Sequence, residues 1–114
     1  MKNSYSILLG IGLLLSLGCT KENNNVIMYK VTSTPSGFDI TYENSGGNTE
    51  QKTITSSSWT TSFTSSSGDF IYISAQADNK NATITSNIYF EGEIIETATS
   101  SGDYVIATAS GSTP

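Results

Sequence analysis

Turn-forming clusters recur from "NSGGN" (44–48) through "SSSGD" (65–69), "DNKN" (78–81) and "EG" (91–92) to "SSGD" (100–103), with 7 to 16 residues between successive clusters. No segment between them carries helical periodicity; what they separate is alternation. In "FDITYEN", Phe38, Ile40 and Tyr42 point one way and Asp39, Thr41 and Glu43 the other, which is the pattern of a half-buried strand. The glycines of "NSGGN" supply positive φ and "EQKTITS" follows as a more polar strand, so residues 37–55 read as a hairpin. "SWTTSFT" puts Trp59, Thr61 and Phe63 on one face. "FIYISAQAD" is apolar on both faces, which predicts a central strand. "ATITSNIYF" and "EIIETATS" flank Glu91-Gly92, the tightest hairpin signal in the chain, and "YVIATAS" follows the last turn.

About eight short strands in some 85 residues predict an all-β fold, a small β-sandwich of seven or eight antiparallel strands over residues 26–110, with 111–114 a frayed tail. The single cysteine excludes an internal disulfide, so the core alone must hold the domain. The expected core includes Trp59, Phe63, Phe70, Tyr72, Ile73, Ile84, Ile88 and Phe90.

The chain's 114 residues include five lysines, no arginine and no histidine, against ten acidic residues, for a net charge of -5. The lysines are scattered. A nucleic-acid partner is therefore not expected, because phosphate affinity comes from clustered cations. Absence of histidine removes the ordinary Ser-His-Asp and Cys-His arrangements and any imidazole zinc site.

The lone Cys19 stands where an apolar run from Ile7 to Leu17 turns into "TKENNN". That run is too short to span a bilayer core, which needs about 20 apolar residues. With Lys2 before it and Gly18 after it, residues 1–18 have the form of a signal peptide. The junction resembles the bacterial lipoprotein signal, with Ser16 at a position where that pattern prefers an aliphatic residue. The resemblance implies cleavage before a lipidated, palmitate-bearing Cys19, with 19–25 as anchor and tether. The expected location is the bacterial cell envelope, on the periplasmic face or the cell surface.

The order of "YKVTS" (29–33), "DITYEN" (39–44), Trp59, "FIYISAQ" (70–76) and "IYFEGEIIETATSSGDYVIATA" (88–109) resembles the extracytoplasmic domain of the MmpS family and related small Bacteroidetes lipoproteins. MmpS proteins are accessories of lipid transporters. The resemblance implies an Ig-like β-sandwich and a partner among envelope or transporter proteins. This chain has a lipobox-like segment where the mycobacterial members carry an uncleaved transmembrane helix.

Glu91, Glu93 and Glu96 crowd one hairpin, but carboxylates flanking a tight turn are ordinarily solvated, and no catalytic residue is expected. Asp69 or Asp78 as calcium ligands would need six to eight oxygens, which no dense acidic loop provides. No metal or cofactor is expected. The "NAT" sequon at Asn81 reads as a turn. Tyr29, Tyr42, Tyr72, Tyr89 and Tyr104 are ordinarily half-buried sandwich residues, and as an alternative form a platform for glycan or lipid. Tyr89 is the best candidate because it faces away from Ile88 and Phe90. The expected function is thus a non-catalytic, lipid-anchored interaction module, with a glycan- or lipid-binding lipoprotein as the alternative.

Overall fold

The computed structural model describes residues 25–114; residues 1–24, on which the expected signal peptide, Cys19 and most of the expected tether fall, lie outside the described residues. Eight strands and no helix are found among them. They are β1 (Asn25–Thr34), β2 (Phe38–Glu43), β3 (Thr49–Ile54), β4 (Ser58–Ser65), β5 (Phe70–Ala77), β6 (Ala82–Phe90), β7 (Glu93–Gly102) and β8 (Ile106–Ser112). They form two antiparallel sheets, β4-β1-β6-β7 and β3-β2-β5-β8, packed face to face as a β-sandwich. The expected class is therefore the observed one.

Alternation decides which side chains meet between the sheets. Ile27, Tyr29 and Val31 of β1 and Ile84 and Ile88 of β6 face Phe38 and Ile40 of β2, Ile71 and Ile73 of β5 and Ala107 and Ala109 of β8, all of them buried. Rings cluster at one end of this interior. There Tyr29 meets Tyr42 and Phe63 edge-on, at centroid distances of 5.8 and 5.3 Å. The Tyr29 hydroxyl donates to the Glu43 carbonyl at 2.8 Å and accepts the Tyr72 N–H at 3.1 Å, which ties one sheet to the other. A second buried tie runs from Ser86 Oγ to the Ala107 carbonyl at 2.9 Å. Among the described residues no buried side-chain polar atom lacks a partner.

The register gives the sandwich two poles. Asn25 pairs with Ser65, Ile27 with Phe90 and Phe70 with Ser112, so the start of β1, the turns 44–48, 66–69 and 91–92, and the C-terminus share one pole. This pole, at which β1 begins, is called the tether pole after the tether expected over residues 19–25. At the Glu91-Gly92 turn both residues have positive φ, 50° and 88°, which is the hairpin geometry expected there. Asn81, at φ 54°, serves its turn as expected.

Five expectations are corrected. Phe70 is 57% exposed, because the phase of β5 is set by Ile71, Ile73, Ala75 and Ala77 facing inward, which leaves Phe70 and Tyr72 on the outer face. Strand β5 is central, yet buried on one face only. Trp59 and Phe63 are half-buried rather than enclosed, since β4 is an edge strand; Phe90, at the end of β6, is also half-buried. The tail is not frayed: Thr113 is buried and exchanges backbone hydrogen bonds with Gly68 and Asp69 at 2.7 and 2.8 Å, and Ser67 Oγ donates to the Pro114 carbonyl. Finally, Tyr104 does not open a strand. It sits in the β7–β8 turn with φ 53°, and β8 begins at Ile106.

Two predictions follow from the ring-filled end. Trp59 leans on Tyr42 at a centroid distance of 5.1 Å, so Trp59→Ala should cost about 2–3 kcal/mol, less than for an enclosed indole, and lower the melting temperature measurably. Burial pushes the Tyr29 hydroxyl up to about 12. Its pKa is raised on folding, so its stabilising contribution is complete below pH 10 and is lost as pH rises from about 10 towards 12. An alkaline unfolding titration should show this loss, and Tyr29→Phe, although less stable at pH 7, should show less of it.

Candidate functional site

At the tether pole a cleft of about 370 Å3 opens between the β2–β3 turn and the β4–β5 loop. Its walls are built by short-range hydrogen bonding. Asn44 Oδ1 accepts the N–H groups of Gly46 and Asn48 at 2.9 and 3.1 Å, and Asn44 Nδ2 donates to Glu50 at 2.7 Å, which fixes the turn. Gly47 completes it with φ 80°. On the other side Asp69 Oδ2 accepts the Ser66 N–H at 3.0 Å and Ser65 Oγ at 3.3 Å. Phe63 contributes from β4, and Phe70 forms a wall, stacked on Tyr72 at 6.0 Å with 25° between the rings.

The pole is acidic. Glu43, Glu50, Asp69, Glu91, Glu93 and Glu96 belong to it, whereas Lys30 and Lys52 lie at mid-strand and Lys80 in a turn at the opposite pole. Hydrogen bonds from Asn44 and then Tyr42 hold the Glu50 carboxyl below its ordinary range. At the far pole Asp78 is raised, first by loss of hydration and then by the neighbouring Asp39 carboxylate. The cleft therefore offers carboxylate acceptors beside an exposed ring. That set suits a hydroxyl-rich ring, which donates to the carboxylates and lays its C–H face on the aromatic.

The candidates singled out in the sequence fall in different places. Cys19 lies outside the described residues. Tyr89 lies half-buried on the outer face of the first sheet, in register with Met28 and Ile94, so these three form an apolar stripe away from the cleft. Tyr29 and Tyr42 are interior, Tyr72 backs Phe70, and Tyr104 is at the far pole, so the five tyrosines make no single platform. Glu91 accepts the Val26 N–H at 2.7 Å, Glu93 is exposed in the strand after the turn, and Glu96 packs beside Gly111. No group of three or more possible metal ligands occurs among the described residues. The residue that sequence reasoning missed is Phe70. The signal for it was that β5 starts directly after Gly68-Asp69 with four alternating small or aliphatic residues, which assign the inner face without it.

Comparison with protein-family models gives no match, and comparison with curated proteins gives none.

Proposed function

We propose that the chain is a non-catalytic, lipid-anchored module of the bacterial cell envelope that works by contact with an envelope or transporter protein. The observation that carries this reading is the concentration of contact-capable surface where the chain arrives from Cys19. Val26, Phe70 and Ile94, three of the five large apolar side chains exposed among the described residues, belong to the tether pole, and β1 opens only six residues after Cys19. Val26 and Ile94 share the outer face of the first sheet with Met28 and Tyr89, and a contiguous apolar strip of this kind marks a place where a partner sits, while Phe70 stands on the opposite face of the sandwich. The MmpS-like order of strand signatures supports a transporter accessory as the kind of module. Cys19→Ala should release the protein from the membrane fraction or leave an unprocessed precursor. Metabolic labelling with palmitate checks it: label in wild type and none in the variant is the expected result, and a cleaved wild type without label counts against the anchor.

A second reading, glycan binding, is favoured by one feature, the Phe70–Tyr72 stack beside the carboxylates of the cleft. Phe70 is exposed, so Phe70→Ala should alter stability by less than about 1 kcal/mol. Any glycan that a glycan array identifies for the wild type should bind the variant about tenfold or more weakly. Equal binding by both removes the cleft from consideration.

A further inference from the structure

The four edge strands of this sandwich are not alike. Strand β7 lies against β8 at one flank, where Ser100 Oγ donates to the Ile106 carbonyl, and β7 is also interrupted by a bulge at Ile95. Strand β3 carries charges at inward-pointing positions, Glu50 beside Tyr42 and Lys52 beside Ile40, a device that discourages pairing by another strand. Strand β4 has none of these protections. Its eight residues, "SWTTSFTS", include no charge and no proline, and its register with β1 is unbroken from Asn25–Ser65 to Thr32–Ser58.

The hydrogen-bond phase of β4 can be read from β1. The Val26 N–H and carbonyl both bond to Glu91, on the β6 side, whereas the Ser33 N–H bonds to Ser57, on the β4 side. Alternation then turns the backbone groups of Ile27, Tyr29 and Val31 towards β4, where they meet Phe63, Thr61 and Trp59. The backbone groups of Ser58, Thr60, Ser62 and Thr64 point outward from the sheet edge, and these four residues are exposed; the Ser58 carbonyl accepts from Ser56 Oγ at 2.7 Å, so the open positions are centred on Thr60, Ser62 and Thr64. They form a row of donors and acceptors on a flat edge.

That edge is complementary to itself. About Thr61 the sequence has a two-fold pattern: hydroxyl residues Thr60 and Ser62, then aromatics Trp59 and Phe63, then hydroxyl residues Ser58 and Thr64. We infer that β4 pairs antiparallel with β4 of a second copy of this chain about a two-fold axis through Thr61, joining the two outer sheets into one of eight strands. In this register Thr60 and Ser62 exchange both backbone hydrogen bonds with Ser62 and Thr60 of the second copy. Trp59 and Phe63 fall opposite Phe63 and Trp59 at non-hydrogen-bonded positions, where side chains stand closest and aromatic pairs contribute most. Centring on Ser62 instead would oppose Phe63 to Thr61 and lose the aromatic pairs. The interface is isologous, as closed dimers require.

The register makes a specific test possible in the full chain carrying Cys19→Ser, where an introduced thiol is the only one. Thr61→Cys brings two thiols together on the axis at a Cα separation of about 4.5 Å, within disulfide range. Mild oxidation should give a disulfide-linked dimer with Thr61→Cys and at least about tenfold less with Thr60→Cys, whose own mate lies two positions away. Ser62→Pro removes an N–H that serves only the second copy, so it should keep the β-sheet spectrum of the parent chain while weakening dimerisation by about tenfold or more in sedimentation. Equal crosslinking at positions 60 and 61, an unaltered dimer with Ser62→Pro, or a parent chain monomeric at every concentration would overturn the inference. The last of these outcomes would leave the edge to a strand of another protein. The test does not depend on whether Cys19 is lipidated.

Discussion

One buried hydroxyl holds the two sheets in their relation. Tyr29 sits on β1, in the first sheet, yet its hydroxyl spends its donor on the Glu43 carbonyl of β2 and its acceptor on the Tyr72 N–H of β5, both in the second. Those backbone groups lie one residue beyond Tyr42–Ile73, the last pair of the β2–β5 ladder, and the hydroxyl bridges them where the two strands part. A phenol is the only neutral side chain long enough to cross the interior and satisfy both while filling it with a ring. Tyr42 and Phe63 meet that ring edge-on, and Trp59 then rests on Tyr42, so the aromatic end of the core is assembled outward from Tyr29. The same bond fixes Glu43, and through it the start of the turn that walls the cleft.

Where each side chain's fate depends on its nearest neighbours, the sequence was legible. Alternation in "FDITYEN", the positive-φ residues at Glu91-Gly92 and the turn at Asn81 are local facts, and the strands and hairpins followed from them. Phe70 was not legible in this way. An aromatic next to Ile71 reads as core until the inner face of β5 is counted and found filled by Ile71, Ile73, Ala75 and Ala77. The tail failed for a related reason: "GSTP" has no periodicity, and its order comes from Gly68 and Asp69, some 45 residues away, which supply the partners of Thr113. The candidate site could not be read at all before the poles were known. Nothing local says that turn 44–48, loop 66–69 and the start of β1 meet.

The edges carry information of the same non-local kind. Lys52 looks like any solvent-facing lysine in "EQKTITS", but it is paired with buried Ile40 and so points to the inner side of an edge strand. A charge there is unfavourable for extension of that sheet, since another strand laid beside β3 would enclose it. The contrast with β4 is physical: its eight residues carry no charge that a neighbouring strand would enclose.

A β4-to-β4 pair bears on how the molecule would sit if Cys19 carries lipid. Antiparallel pairing sets the two tether poles at opposite ends of the joined sheet. Each chain has five residues from Thr20 to Asn24 before β1, which reach about 17 Å when extended. Both anchors can then enter one bilayer only when the strands run along its surface, whereas a single copy is free to stand upright on its pole. A two-fold axis perpendicular to the joined sheet keeps the outer faces of both first sheets on one side. On that face Val26, Met28, Tyr89 and Ile94 form an apolar strip beside the start of each β1. A flat-lying pair can therefore lay both strips against the bilayer along their length, whereas an upright single copy brings only the pole end of its strip near it. The cleft lies at the pole beside Phe70 and looks sideways along the membrane in the first arrangement and down into it in the second. Pairing at β4 would therefore decide whether the cleft is open to partners carried in the same membrane.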